Sequence, residues 1–103
     1  MGEVSQELGS MSAMIPIIVT SASGTPVRTE STTVKQIRWI GATDAGDECI
    51  IKDPDDNILW DSVAAGASYV EADTLDREWP EGFKVTTLDS GVLRIYTERG
   101  KSA

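Results

Sequence analysis

The chain has no histidine, one cysteine (Cys49) and one phenylalanine (Phe83), and its 17 Asp and Glu outnumber its 9 Lys and Arg. Each scarcity excludes something. Without histidine, the usual general base near neutral pH and the commonest metal ligand are missing. A lone cysteine forms neither an intrachain disulfide nor a thiolate zinc site. A net charge of −8 opposes a DNA- or RNA-binding surface, which gains affinity when basic side chains release counterions. The longest apolar patch near the N-terminus, Met14 to Val19, is far short of the roughly 20 residues of a membrane helix. Residues 1 to 10 carry Glu3 and Glu7, with no basic n-region or apolar core, and do not read as a secretory signal. The sequence therefore predicts a soluble chain that binds neither nucleic acid nor membrane.

What is present is the composition of an ordinary globular domain: 103 residues, 40% hydrophobic and 25% charged. Folding at this length buries roughly 65% of the unfolded surface, enough for one modest core but not for a deep interlobe cleft. Residues 1–31 read as an extended N-terminal arm, because residues 20 to 33 are rich in Ser, Thr, Gly and Pro and show no periodicity. Within it Ile15, Pro16, Ile17, Ile18 and Val19 form a sticky segment. Pro16 confines that segment to a sheet edge, and an exposed run of this kind is an aggregation hazard. It is therefore expected to dock on its own domain or on a neighbouring subunit.

From residue 32 to 98, β-rich runs recur about every ten residues, the signature of an all-β sandwich or barrel. We expect a small antiparallel β-sandwich, jelly-roll or immunoglobulin-like, of about six to seven strands, followed by a tail over 99–103. The runs are 33–40, 47–52, 58–63, 69–72, 83–88 and 92–97. Asp53-Pro54-Asp55-Asp56-Asn57 supplies a turn through proline and Asx chemistry. Asp89-Ser90-Gly91 fits a three-residue hairpin loop with Gly91 at positive φ. Strand parity nominates Ile37, Trp39, Trp60, Phe83, Val85, Leu93 and Ile95 as core, with Lys35 at the rim of its face. Residues 75 to 79 could form one helical turn capped by Asp73 or Thr74.

Few residues suggest chemistry. Asp53, Asp55, Asp56 and Asn57 are the best candidates for a weak cation site, since Ca²⁺ prefers several oxygens from one tight loop. Ile58 stands where a calcium loop needs glycine and Ala64 where it needs a bidentate Glu, so a hairpin turn is the default. Asp73, Asp76, Glu78 and Glu81 read as a solvated loop. No Ser-x-x-Lys pair, glycine-rich phosphate loop or dinucleotide fingerprint appears, and no enzymatic activity or cofactor is expected. Cys49 reads as a small apolar filler. Trp39 and Trp60 read as core, whereas Trp79, beside Pro80, is left open between packing and a ligand or subunit contact. Charge is uneven: residues 1–30, 31–60, 61–90 and 91–103 carry −2, −3, −5 and +2, with Arg94, Arg99 and Lys101 at the basic end.

Several runs bear a likeness to a known family. They are Ile37-Arg38-Trp39-Ile40-Gly41-Ala42-Thr43, Ala45-Gly46-Asp47, the stretch from Ile58 to Ala67, Tyr69-Val70-Glu71, and Lys84 to Gly91 leading into Leu93-Arg94-Ile95-Tyr96. In these, residues 34 to 97 resemble small virion proteins of tailed bacteriophages. Residues 1 to 30 have no counterpart in that pattern, and the turn at Asp53 is longer and more acidic than usual. The resemblance implies a compact β-sandwich with a structural role in an assembled particle, on head or tail. Of these we expect a head decoration or cement protein on the capsid exterior, whose partners are the major capsid protein and neighbouring copies of itself. Ile15, Ile17, Ile18, Val19 and Trp79 are the expected partner-binding residues. The alternatives are a tail or fibre component touching host glycan, or a free β-sandwich binding module.

Overall fold

The computed structural model describes residues 14–98 and forms seven strands with no helix among them. They are β1 (Met14–Val19), β2 (Thr32–Ala42), β3 (Glu48–Lys52), β4 (Ile58–Val63), β5 (Tyr69–Trp79), β6 (Lys84–Leu88) and β7 (Val92–Glu98). All strand pairs are antiparallel. They make a four-stranded sheet in the order β1-β7-β2-β5 and a three-stranded sheet in the order β4-β3-β6. Side chains from both sheets merge into one core, so the fold is the small all-β sandwich expected. All seven core residues nominated from parity are buried; Val34, Ala42, Cys49, Ile51, Ala64 and Trp79 join them.

The strand order separates the two expected sandwich types. In an immunoglobulin fold the first and second strands lie side by side. Here β1 pairs with the last strand, β7, which is the jelly-roll arrangement. A jelly roll has eight strands, and the seven here leave one place vacant beside β6. Residues 23–28 fill it irregularly: the amides of Ser23 and Val27 donate to the carbonyls of Val85 and Phe83, and Arg28 bridges to Phe83. Proline and serine make this stretch a poor strand, but the backbone bonds it makes still cover the β6 edge.

Three expectations are corrected. The sandwich begins at β1 and not at residue 32: the 15–19 segment takes the first of its two expected docking places, its own domain, as the sheet edge that Pro16 requires, and the stretch after it is tied to β6 and Phe83. Residues 1–13 and the tail 99–103 lie outside the described residues. The 83–88 and 92–97 runs are not a hairpin, because β6 and β7 belong to opposite sheets. Gly91 does adopt positive φ (79°), in an arch that carries the chain across the core. Finally, 75–79 is strand and not a helical turn, since β5 continues to Trp79 opposite Thr32.

The arch is pinned by polar side chains. Ser90 donates its hydroxyl to Asp47 Oδ2 (2.6 Å), Trp39 Nε1 donates to the Ser90 carbonyl (2.9 Å), and Asp89 Oδ2 accepts from the Glu48 amide (2.8 Å). The Ser90 hydroxyl also holds the Asp47 carboxyl below its ordinary pKa. A β-bulge at Lys35 shifts the parity of β2 by one residue. Val34 and Ile37, three apart, are consequently both fully buried. Lys35 leaves the sheet at the bulge and pairs with Asp76.

Candidate docking face

Beyond the bulge, strict alternation sorts β2 and β7 into an inner and an outer face. Ile37, Trp39, Leu93 and Ile95 point into the core, so Gln36, Arg38, Ile40, Val92, Arg94 and Tyr96 point out. The register stacks the outer residues into cross-strand rows. Val70, Ile40 and Val92 form an apolar row across β5, β2 and β7. In the next row Arg38 and Arg94 stand directly opposite each other, flanked by Ala72 on β5 and Ile18 on β1. The third runs Thr74, Gln36, Tyr96 and Pro16. No carboxylate occurs in any of the three. The acids of this face lie towards its far end: Asp76, paired with Lys35, borders Gln36 and Thr74, and Glu78 and Glu98 flank Thr33 beyond the bulge.

Like charges directly opposite each other on adjacent strands are destabilising. Among the described residues the ion pairs are Lys35 with Asp76 and Lys84 with Asp56, and neither arginine takes part in one. Both arginines are half-buried, and each has a buried Nε without a hydrogen-bond partner. Two large apolar side chains on the same face are wide open, Ile18 (58% exposed) and Val70 (51%). An acid-rich chain thus carries, on one sheet face, two unneutralised guanidiniums in an apolar surround.

The residues singled out from the sequence divide. Of the β1 set, Ile17 and Val19 are half-buried against the core and Ile18 faces out. Ile15 pairs through its backbone with Thr97, and its side chain lies outside the described ones. Trp79 is corrected: it is only 2% exposed and packs edge-to-face on Phe83 with ring centroids 5.2 Å apart, so its ring is no exposed platform for glycan or partner. The structure does bring Trp79 beside the acidic turn. Asp53, Asp55, Asn57, Leu59, Trp79, Pro80, Glu81 and Gly82 line one groove of about 260 Å³.

That turn is occupied with its own backbone. Asp53 accepts from the amides of Asp55 and Asn57 (both 2.9 Å) and from Asn57 Nδ2 (3.0 Å), while Asp56, at φ 69°, pairs with Lys84 (2.8 Å). The Asn57 bonds hold Asp53 below its ordinary pKa, and Lys84 does the same for Asp56. The four residues proposed as cation ligands act as a β3–β4 hairpin turn, and no group of three or more possible metal ligands occurs among the described residues.

Two further acids point inward from the edge strand β5. Glu71 accepts from the hydroxyls of Ser62 and Tyr69 (both 2.7 Å), and Asp73 from Trp60 Nε1 (2.8 Å). Ser62 foremost, then Tyr69, pull Glu71 below its ordinary pKa, opposite to the raised carboxyl of a general acid. Their role is to satisfy β4 across the open side of the sandwich, and inward charge also blunts β5 as a template for pairing. Cys49 is buried, and desolvation foremost pushes its thiol up to about 12, as suits an inert filler. The arginine face was missed from the sequence because Arg38 and Arg94 lie far apart along the chain and meet only through the β2–β7 register. No protein-family model, curated protein or solved structure matches the chain.

Proposed function

We propose that the protein is a non-enzymatic assembly module that docks through the outer face of its four-stranded sheet onto a larger particle. Following the family resemblance, that particle is a phage head decorated from outside. The observation that carries the docking reading is the in-register pair Arg38 and Arg94, unneutralised among apolar neighbours in a chain of net charge −8. A lone free domain would be more stable with a carboxylate opposite either arginine; a face that awaits a partner keeps them free. Many copies on a repeating lattice would turn a weak single contact into stable occupancy. The jelly-roll order is an analogy in the same direction, since capsid proteins use it, although fold alone does not assign function.

The test is a mass-spectrometric inventory of purified particles made with wild-type protein and with the R38E/R94E double variant. A copy number matching the capsid lattice for wild type, and loss of the protein from particles carrying the variant, are the expected outcomes. Absence of wild-type protein from particles would refute the head reading, and undiminished loading of the variant would refute the face. Deleting residues 1–20 is a poor substitute: it removes β1 and strips the β7 edge.

A further inference from the structure

The arginine face also defines what it can hold. We infer that Arg38 and Arg94 jointly clamp one carboxylate on an extended acidic-apolar segment of a protein partner, a conclusion that rests on this face being the docking surface.

The geometry limits the occupant. Opposed residues on adjacent antiparallel strands have Cα atoms about 4.5–5.5 Å apart, so both guanidiniums reach one small anion between them. Planar guanidinium forks match the two oxygens of a carboxylate, and a charge-assisted pair partly shielded from water is stronger than a surface pair. The rows on either side select what accompanies that anion. Val70, Ile40 and Val92 offer apolar contact on one side, and Gln36 and Tyr96 on the other offer an amide and a phenol. A segment with an acidic residue between apolar ones satisfies both the row and the pair.

Other occupants fit less well. A second copy docked face to face would bring four guanidiniums together, so an isologous dimer through this surface is disfavoured. A nucleic-acid strand would place successive phosphates along a face whose far end carries Glu78 and Glu98, on a molecule of net charge −8. A single carboxylate seated at Arg38 and Arg94 avoids both penalties.

The experiment titrates the isotope-labelled full chain with an end-blocked pentapeptide carrying one glutamate between two leucines, with its glutamine counterpart, and with a short single-stranded oligonucleotide. Backbone amides and the arginine Nε–Hε signals are followed by NMR at low and at physiological salt. We expect the glutamate peptide to shift both arginine Nε–Hε signals together with the amides of Ile40 and Val92. It should bind about tenfold more tightly than the glutamine peptide, and more weakly as salt rises. R38Q or R94Q alone should remove most of that difference. Equal binding of the two peptides, with shifts still at Ile40 and Val92, would overturn the carboxylate clamp and leave the docking face standing. No shift on this face with either peptide would overturn both. Tighter binding of the oligonucleotide than of the glutamate peptide would overturn the choice of a protein partner.

Discussion

Gly82 is the position where a single methyl group tests the account of residues 23–28. It follows the Trp79-Pro80 turn at φ +82°, and a Cβ built there would lie 2.1 Å from the Arg28 carbonyl oxygen, 2.6 Å from its carbon and 3.1 Å from Thr29 Cα. These are backbone atoms, so no side-chain rotation relieves the clash. Gly82→Ala therefore carries two costs. The left-handed conformation alone is worth about 1–2 kcal/mol for an L-residue. Relieving the clash pushes 28–29 away from Phe83 and breaks up to three backbone bonds, Val27 and Arg28 to the Phe83 carbonyl and Phe83 to the Arg28 carbonyl. At about 0.5–1.5 kcal/mol each, loss of all three brings the total to roughly 2.5–6.5 kcal/mol. Gly46→Ala is the internal control: it has a similar φ (+91°) but open space around the added methyl, so only the conformational cost applies. Urea unfolding of both variants should place Gly82→Ala about 1.5–4.5 kcal/mol below Gly46→Ala. Amides in 23–28 should also lose exchange protection in Gly82→Ala while those of β3 keep it. Equal destabilisation of the two variants would refute the view that 23–28 completes the three-stranded sheet.

Three further outcomes follow from the core and its charges. Trp39 donates to the Ser90 carbonyl whereas the buried Trp79 Nε1 has no protein acceptor, so Trp39→Phe should cost about 1 kcal/mol more than Trp79→Phe in urea unfolding; a larger cost for Trp79→Phe would contradict that pairing. Cys49 should react with a disulfide reagent at pH 8 only at the rate of global unfolding, and fast labelling of native protein would contradict its burial. Asp47, Asp53, Asp56 and Glu71 all titrate below their ordinary values in the folded state. Their contribution is fully present above the unfolded carboxyl values near 4 and is lost as pH falls through the lower folded ones. Cys49 has the opposite sign: its raised value makes the neutral thiol the native form, so stability declines above the unfolded thiol value of about 8.5, by up to about 1.4 kcal/mol per pH unit. The urea midpoint should accordingly fall on both flanks of a plateau at about pH 5 to 8, and Cys49→Ala should flatten the alkaline flank first.

The inner layer was legible because parity needs no tertiary knowledge where a strand is regular. Ile37 and Trp39, or Leu93 and Ile95, declare a buried face by spacing alone. Legibility failed where a non-local partner reinterprets a local signal. Asp73, with Asp76 and Glu78 after it, looks like a solvated loop, yet β5 is an edge strand whose inward acids accept hydrogen bonds from Trp60 and Ser62 on the facing sheet and from Tyr69 on β5 itself. The Asp89-Ser90-Gly91 loop has hairpin chemistry, and Gly91 does take positive φ, but a hairpin and an arch between sheets share that local requirement. What decides between them is that β7 pairs with β1 and β2, while β6 pairs with β3. The acidic turn was the easier case, since Asx bonds are made within five residues and are written in the sequence itself.

The surplus of acid acquires a different meaning once placed on the fold. Much of it serves as local fasteners: Asp47 and Asp89 at the arch, Asp53 in the hairpin turn, Glu71 and Asp73 along the open side, Asp76 and Asp56 on Lys35 and Lys84. Against that pattern the outer face of the four-stranded sheet is the exception. Ala72 and Ile18 stand beside Arg38 and Arg94, at the two positions where a carboxylate would most simply stabilise the monomer. Placing a Glu at position 72 should therefore raise the monomer's stability by up to about 1 kcal/mol in urea unfolding. By supplying the clamp with a carboxylate from the chain itself, Ala72→Glu should also abolish the difference between the glutamate and glutamine peptides. A stabilised variant that still preferred the glutamate peptide would break the link between the two effects, because the same pair of guanidiniums cannot be neutralised within the monomer and remain available to a partner.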